Sequence, residues 1–311
     1  MLKAIFALKV KFTFRGPLAP VFTPFSNDSN RSLNVEIIPK YAQYLADNGI
    51  KGVLVNGTTG EGMSQSVQER KLLAEKWMEA KKTTNQHVMI QIGGAPLPDV
   101  LEFAKHAESI GADSLLCLPE LYFKPRNTDQ LIHYLKVVGQ AAPNTPLLYY
   151  HIPMFTNVNI HMGEFLREVD DRIPNFVGIK FTSEELEEGL EAVNAHNKKF
   201  TAFLGADTLM LEAYKQGFDS AIATTFNIFP QLGAKIYEYT LNGKVEEAKP
   251  LQEKLTKAVE GITKYGTWVQ TMKEAMNLFT PFNVGPPRDP IIRLSSAQIN
   301  NMAENVKILK I

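Results

Sequence analysis

Eight short runs of almost unbroken apolar residues recur along the chain, and longer amphipathic stretches separate them. The runs cover residues 18–22, 52–56, 88–92, 114–118, 146–151, 176–181, 200–204 and 220–224. A run that is apolar at successive positions suits a strand covered on both faces. The stretches between them suit helices, as over 67–82, where Leu72, Leu73, Trp77 and Ala80 are expected on one side. Residues 97–110 and 127–142 read the same way. Alternating strand and helix predicts a parallel sheet. Eight units of about 30 residues predict that this sheet closes into a (β/α)8 TIM barrel. An open doubly wound sheet would carry G-x-G-x-x-G in its first βα turn, and the sequence has none there.

Helical patterns continue past the eighth run, near 231–241, 245–265, 268–278 and 295–309. One of these completes the barrel, and the surplus predicts a C-terminal helical appendage. The expected organisation is an N-terminal extension over 1–14, a barrel over 15–242, and a helical region over 243–311 packed on it, within a single domain overall. Gly285-Pro286-Pro287-Arg288-Asp289-Pro290 cannot be helical and predicts a fixed loop before the last helix.

Composition narrows the function classes. Thirty-three basic residues balance 33 acidic ones, and with no basic stripe a nucleic-acid partner is not expected. No apolar run approaches the roughly 20 residues of a membrane span, and the apolar stretch within 1–8 is too short for a signal peptide. The single cysteine, Cys117, excludes an internal disulfide and fits a reducing, cytoplasmic setting. Its apolar neighbours, Leu115, Leu116 and Leu118, predict a buried and inert thiol. The histidines are scattered, and His161-Met162-Gly163-Glu164 lacks ligand spacing, so no metal site is expected.

In such a barrel the chemistry sits at the C-terminal ends of the strands. Lys180 lies inside an apolar run, and simple alternation puts Phe176, Gly178 and Lys180 on one face. If that face lines the barrel, desolvation favours the neutral amine, the form that attacks a ketone to give a Schiff base. Taken alone, a lysine at a strand end more often reaches out to solvent. Tyr150, on the neighbouring strand, can shuttle a proton or simply fill the core, whereas Tyr149 is expected to face the outer helices. Gly57-Thr58-Thr59-Gly60-Glu61-Gly62 offers hydroxyls and backbone N–H groups suited to a small anion, or is a plain βα turn. It is not a phosphate-binding P-loop, because no Lys-Ser or Lys-Thr follows.

Gly57-Thr58-Thr59-Gly60-Glu61, Tyr150-His151-Ile152-Pro153 and Gly178-Ile179-Lys180-Phe181-Thr182, in that order and spacing, resemble the signatures of the dihydrodipicolinate synthase and N-acetylneuraminate lyase superfamily. The likeness runs from about Gly16 to the end. Within the superfamily, Val55–Gly62, Tyr149–Pro153 and Gly285-Pro286-Pro287-Arg288 look closest to the animal-type N-acetylneuraminate lyases. Where the synthase branch carries an arginine for a second carboxylate, this chain has Phe155, and an apolar ring cannot pair with a carboxylate.

The resemblance implies roles. Lys180 resembles the Schiff-base lysine and Tyr150 the proton-transferring tyrosine. Thr58 and Thr59 resemble the hydroxyl pair that holds the pyruvyl carboxylate. Thr182, Gly205 and Asp207 match positions that contact the sugar portion, and Thr224 stands where a substrate-contacting serine is usual. Thr208 occupies the position of a glutamate that accepts hydrogen bonds from sugar hydroxyls, and Thr224-Thr225-Phe226-Asn227 replaces Ser-Thr-Tyr-Asn. The part that handles pyruvate is intact, and the part that selects the aldehyde is altered.

The expected activity is reversible cleavage of N-acetylneuraminate to pyruvate and N-acetylmannosamine. The lysine adduct is its own electron sink, so the resemblance implies neither cofactor nor metal. It also implies small-molecule partners, a 2-keto sugar acid and pyruvate, and a homotetramer. The alternatives are an aldolase of the same superfamily acting on another 2-keto acid, and a barrel that binds a keto acid or sugar acid without turnover.

Overall fold

The computed structural model describes residues 10–309. Most of the expected 1–14 extension therefore lies outside the described residues. Eight parallel strands form a closed barrel in sequence order. They are β1 (Pro17–Pro20), β2 (Gly52–Val55), β3 (His87–Gln91), β4 (Ser114–Cys117), β5 (Leu147–His151), β6 (Phe176–Phe181), β7 (Thr201–Leu204) and β8 (Ser220–Ile222). The β1–β8 pairing closes the sheet.

The core has two layers because each strand is covered on both faces. Inside the barrel, Leu18, Leu54, Met89, Leu116, Leu148, Phe203 and Ile222 fill the interior. Outside, residues such as Val53, Ile90, Leu115, Tyr149 and Ile179 meet the surrounding helices. Phe12 and Phe14 pack against the inner layer. The Phe14 ring stacks on His87 at 4.4 Å between centroids, and Phe12 meets the same imidazole edge-on at 5.6 Å. The last residues of the expected extension thus cover the N-terminal mouth of the barrel. Burial there pulls the His87 imidazole down to about 4.

Two details depart from simple periodicity. On the Val67–Thr84 helix, Leu72 is exposed, and the buried stripe is Arg70, Leu73, Ala74, Trp77 and Ala80. The Arg70 guanidinium donates to the carbonyls of Gln91 (2.8 Å) and Gly93 (3.3 Å) and lies 4.1 Å from the Phe103 ring centroid, which offsets its burial at the terminal nitrogens, while Nε has no hydrogen-bond partner. On β6, the register with β5 slips between Leu147 and Leu148, so that Leu147 faces Phe176 but Leu148 faces Gly178. This extra residue breaks the alternation. Phe176 joins the outer layer, edge-on to Phe165 and Phe200, while Val177 packs on the inner one. Phe176 therefore does not share the face of Lys180, contrary to the period-2 expectation.

After β8, Pro230–Leu241 packs beside Val245–Thr263, which in turn meets Ser296–Lys307 and Trp268–Phe279. The loop before the last helix is tied down. Arg288 forks onto Glu69 with two 2.9 Å contacts and also donates to the Arg31 carbonyl at 2.6 Å. Gly285 has φ 73, and a Cβ there would lie 1.8 Å from the Phe25 carbonyl oxygen. Among the described residues, no helix is long and apolar enough to cross a membrane.

Gly178 lets β7 lie against β6 with no side chain between them, since a Cβ there would sit 2.1 Å from the Thr201 carbonyl oxygen. Gly178→Ala is expected to destabilise the barrel by about 3 kcal/mol, the upper range for an overpacked interior. An unchanged denaturation midpoint would show that the two strands are not held this tightly.

Candidate active site

The strand ends bring the predicted residues to one place. Tyr150 and Lys180 are direct partners in the β5–β6 ladder. The Lys180 ammonium donates to the Tyr150 hydroxyl at 3.1 Å and lies 4.2 Å from the centre of its ring. Both side chains are almost fully buried. The Thr58 hydroxyl lies 3.3 Å from the Tyr150 hydroxyl. Lysine, tyrosine and threonine therefore form one connected polar chain in an otherwise apolar interior.

A second polar chain starts from the next residue of the same loop. The Thr59 and Thr224 hydroxyls are 2.9 Å apart, and the Trp268 indole N–H donates to the Thr224 hydroxyl at 3.2 Å. Thr224 ends the segment after β8, and Trp268 is the first residue of its helix, behind a Thr267–Gln270 capping box.

The loop carrying Thr58 and Thr59 is held from below. Glu61 has φ 54, an uncommon conformation for a glutamate. Its carboxylate accepts from the Lys273 ammonium at 2.5 Å and from the Arg288 N–H at 2.8 Å. Lys273 also donates to the Thr23 carbonyl at 2.9 Å and lies over the Phe25 ring. Neither side chain of the Glu61–Lys273 pair touches solvent. Burial pulls the Lys273 amine down to about 8, against the upward pull of Glu61.

The residues expected to contact the sugar portion are placed as follows. Asp207 follows β7, is buried, and accepts from the Thr225 N–H at 2.7 Å. Burial raises its carboxyl above the ordinary range, with the Thr225 N–H pulling the other way. The Thr182 hydroxyl is buried without a hydrogen-bond partner. Gly205 leaves it room, because a Cβ there would fall 1.9 Å from that oxygen. The Thr208 carbonyl accepts from Gln252 at 3.2 Å, so the Val245–Thr263 helix steadies this turn.

All of these residues, Lys180, Tyr150, Thr58, Thr59, Thr182, Gly205, Asp207, Thr208 and Thr224, line one cavity of about 230 Å³. Phe155 and Met154 form part of its rim and are largely exposed. A wider cleft of about 1100 Å³, lined by Tyr122, Phe123 and Arg126 among others, lies outside the barrel and does not include Lys180. Convergent polar groups, rather than volume, single out the smaller one. It combines a buried primary amine, an adjacent phenol and a bank of hydroxyls. Such a set can add an amine to a carbonyl, move a proton beside it and hold a small anion.

Sequence reasoning missed three participants. Ser183 and Glu184 line the cavity from the loop after β6, and Trp268 reaches in from the C-terminal helices. The Lys273 anchor was missed too, although a signal was present. Lys273 lies four residues after Val269 and three before Met276, on the buried stripe of its helix. Cys117 is buried as expected, and burial pushes its thiol up to about 12. Asn56-Gly57-Thr58 matches a glycosylation sequon, but Asn56 is buried, with its side-chain amide donating to the Arg70 carbonyl. Among the described residues, no group of three or more His, Cys, Asp or Glu is disposed to hold a metal ion.

The model of the dihydrodipicolinate synthetase family matches residues 13–309. The N-acetylneuraminate lyase of Rattus norvegicus is 33% identical over 301 residues, 96% of this chain and 93% of that protein. The N-acetylneuraminate lyase of Homo sapiens is 34% identical with the same coverage. Among solved structures, the N-acetylneuraminate lyase of Proteus mirabilis superposes with a TM-score of 0.89 at 30% identity, covering 95% of this chain and 98% of that one. The N-acetylneuraminate lyase (sialic acid aldolase) of Aliivibrio salmonicida also gives 0.89, at 32% identity, covering 96% and 98%.

Removing the ammonium of Lys273 would leave a carboxylate buried without its partner. Lys273→Met is expected to lower stability by about 3–5 kcal/mol. Adding Glu61→Gln, which removes the charge but keeps an acceptor for the Arg288 N–H, should recover part of that loss in denaturant unfolding. A double variant as unstable as the sum of the two single ones would show that the pair is not coupled.

Proposed function

The chain belongs to the dihydrodipicolinate synthetase family, and from that premise we propose that it is a carbon–carbon lyase that cleaves N-acetylneuraminate reversibly to pyruvate and N-acetylmannosamine through a Schiff base on Lys180. The observation that carries this reading is the buried Lys180 amine, 3.1 Å from the Tyr150 hydroxyl, inside a cavity banked with threonine hydroxyls.

The steps use this chain's own groups. Thr58 and Thr59 hold the substrate carboxylate, which sets the C2 ketone against Lys180. The neutral amine adds to C2, and the carbinolamine hydroxyl leaves as water with the Tyr150 proton, which gives the iminium and a Tyr150 phenolate. Tyr150 takes the proton of the C4 hydroxyl, the C3–C4 bond breaks, and its electron pair moves into the iminium to give an enamine. The aldehyde N-acetylmannosamine departs. Protonation of the enamine at C3 and hydrolysis of the resulting iminium release pyruvate and restore the amine. Thr182, Asp207 and Thr208 face the departing sugar. Their contacts lie far from the breaking bond, so they select the aldehyde rather than drive the chemistry.

Thr208 favours a second reading with the same chemistry and a different 2-keto acid, because a threonine makes fewer contacts to a polyol than a glutamate. A product assay with N-acetylneuraminate and with a shorter 4-hydroxy-2-keto acid separates the two. Kinship with the lyases supports a homotetramer, and the exposed Tyr122 and Phe123 offer it apolar surface. The lone buried cysteine supports a cytoplasmic location.

Incubation with pyruvate and borohydride should add one adduct, on Lys180, and Lys180→Ala should lose both the adduct and turnover. An adduct on another lysine would remove the centre of this reading. Tyr150→Phe keeps the ring and should lower turnover about 100-fold or more, the scale of a lost acid–base group. Unchanged turnover in that variant would assign the proton transfer elsewhere.

A further inference from the structure

Trp268 stands outside the roles assigned so far, yet it ends the polar chain that runs through Thr224 to Thr59. An indole N–H can only donate, whereas a threonine hydroxyl has one proton and two acceptor positions. The Thr224 hydroxyl therefore accepts from Trp268, and its own proton cannot point that way. Three protons serve the two hydrogen bonds of the chain, so one hydroxyl proton remains for an acceptor in the cavity. Thr59 and Thr224 are both buried, which leaves few other directions for it. Without the indole, the Thr224 hydroxyl can turn its proton into the direction that the indole N–H had occupied, away from the cavity.

The indole is well placed to do this steadily. Trp268 is the first residue of its helix, fixed by the Thr267–Gln270 capping box. Five residues on, Lys273 locks the same helix to Glu61 on the loop that carries Thr59. The donor and the hydroxyl it acts through are thus anchored to one another by a second route.

We propose that Trp268 is a positioning residue whose indole N–H occupies one acceptor position of the Thr224 hydroxyl and so confines the protons of the Thr224–Thr59 pair, leaving one of them for the substrate carboxylate. This rests on the aldolase reading above, in which the ketone's carboxylate lies against that bank of hydroxyls. Preorganised donors of this kind bind an anion more tightly than hydroxyls free to rotate, and polarisation along the chain strengthens the last donor.

The test is borohydride trapping of two ketones, pyruvate and its uncharged methyl ester, in wild type, Trp268→Phe, Thr224→Val and the double variant. Trp268→Phe should raise the half-saturating pyruvate concentration roughly 3- to 10-fold, the scale of one hydrogen bond. It should leave trapping of methyl pyruvate unchanged, which also shows that the variant is folded. In the Thr224→Val background the same substitution should have no further effect, because its route is gone. Equal shifts for both ketones, no shift for either, or an undiminished effect in the Thr224→Val background would each overturn the role of Trp268 while leaving the aldolase reading intact. A wild type that traps neither ketone would remove that reading and this inference with it.

Discussion

The ion pair between Lys273 and Glu61 joins three parts of the chain that are far apart in sequence. Glu61 belongs to the loop after β2, Lys273 to a helix beyond the barrel, and the Arg288 N–H that shares the carboxylate to the loop before the last helix. A buried charge is costly unless it is both paired and hydrogen-bonded, and here each partner has a second bond. That arrangement accounts for the left-handed backbone at Glu61 and the fixed course of residues 285–290. It also gives the helices that follow the eighth strand a place in the site, since one of them reaches the floor of the loop that carries Thr58 and Thr59.

The barrel supplies the other constraint. Strand pairing sets Tyr150 against Lys180 without a loop having to place either, and side chains on paired strands are held more precisely than side chains on loops. The loops after β2, β6, β7 and β8 then add hydroxyls around that pair. The two polar chains have different characters. One contains the amine and the phenol and can move a proton. The other contains only hydroxyls and an indole, and can orient but not titrate in the ordinary range.

Much of this was legible in the sequence, for physical reasons that also show where it stopped. The strands could be read because burial on both faces leaves a nearly unbroken apolar run. Lys180 stood out because it interrupts one of those runs. Phe176 was assigned to the wrong face because a one-residue slip in register leaves no compositional trace. Lys273 escaped notice because charged residues in a helix are ordinarily turned to water, and its partner lies 212 positions away. Trp268 joins the site only through the packing of the C-terminal helices, which no local pattern encodes. Thr208 was visible as a departure, but its meaning depends on the substrate.

The barrel interior is stoppered. Leu18, Leu54, Met89 and Phe203 fill it, and Phe12 and Phe14 lie across its N-terminal end. The cavity above Lys180 is then a blind well, with traffic through the rim near Met154 and Phe155. A two-part substrate cleaved in such a well departs in a fixed sequence. The outer fragment has to leave before the one tethered at the bottom is freed, and in the synthetic direction the tethered fragment has to enter first. Under the proposed Schiff-base chemistry, the closed floor of the barrel, Phe12 and Phe14 included, gives the reaction its kinetic order.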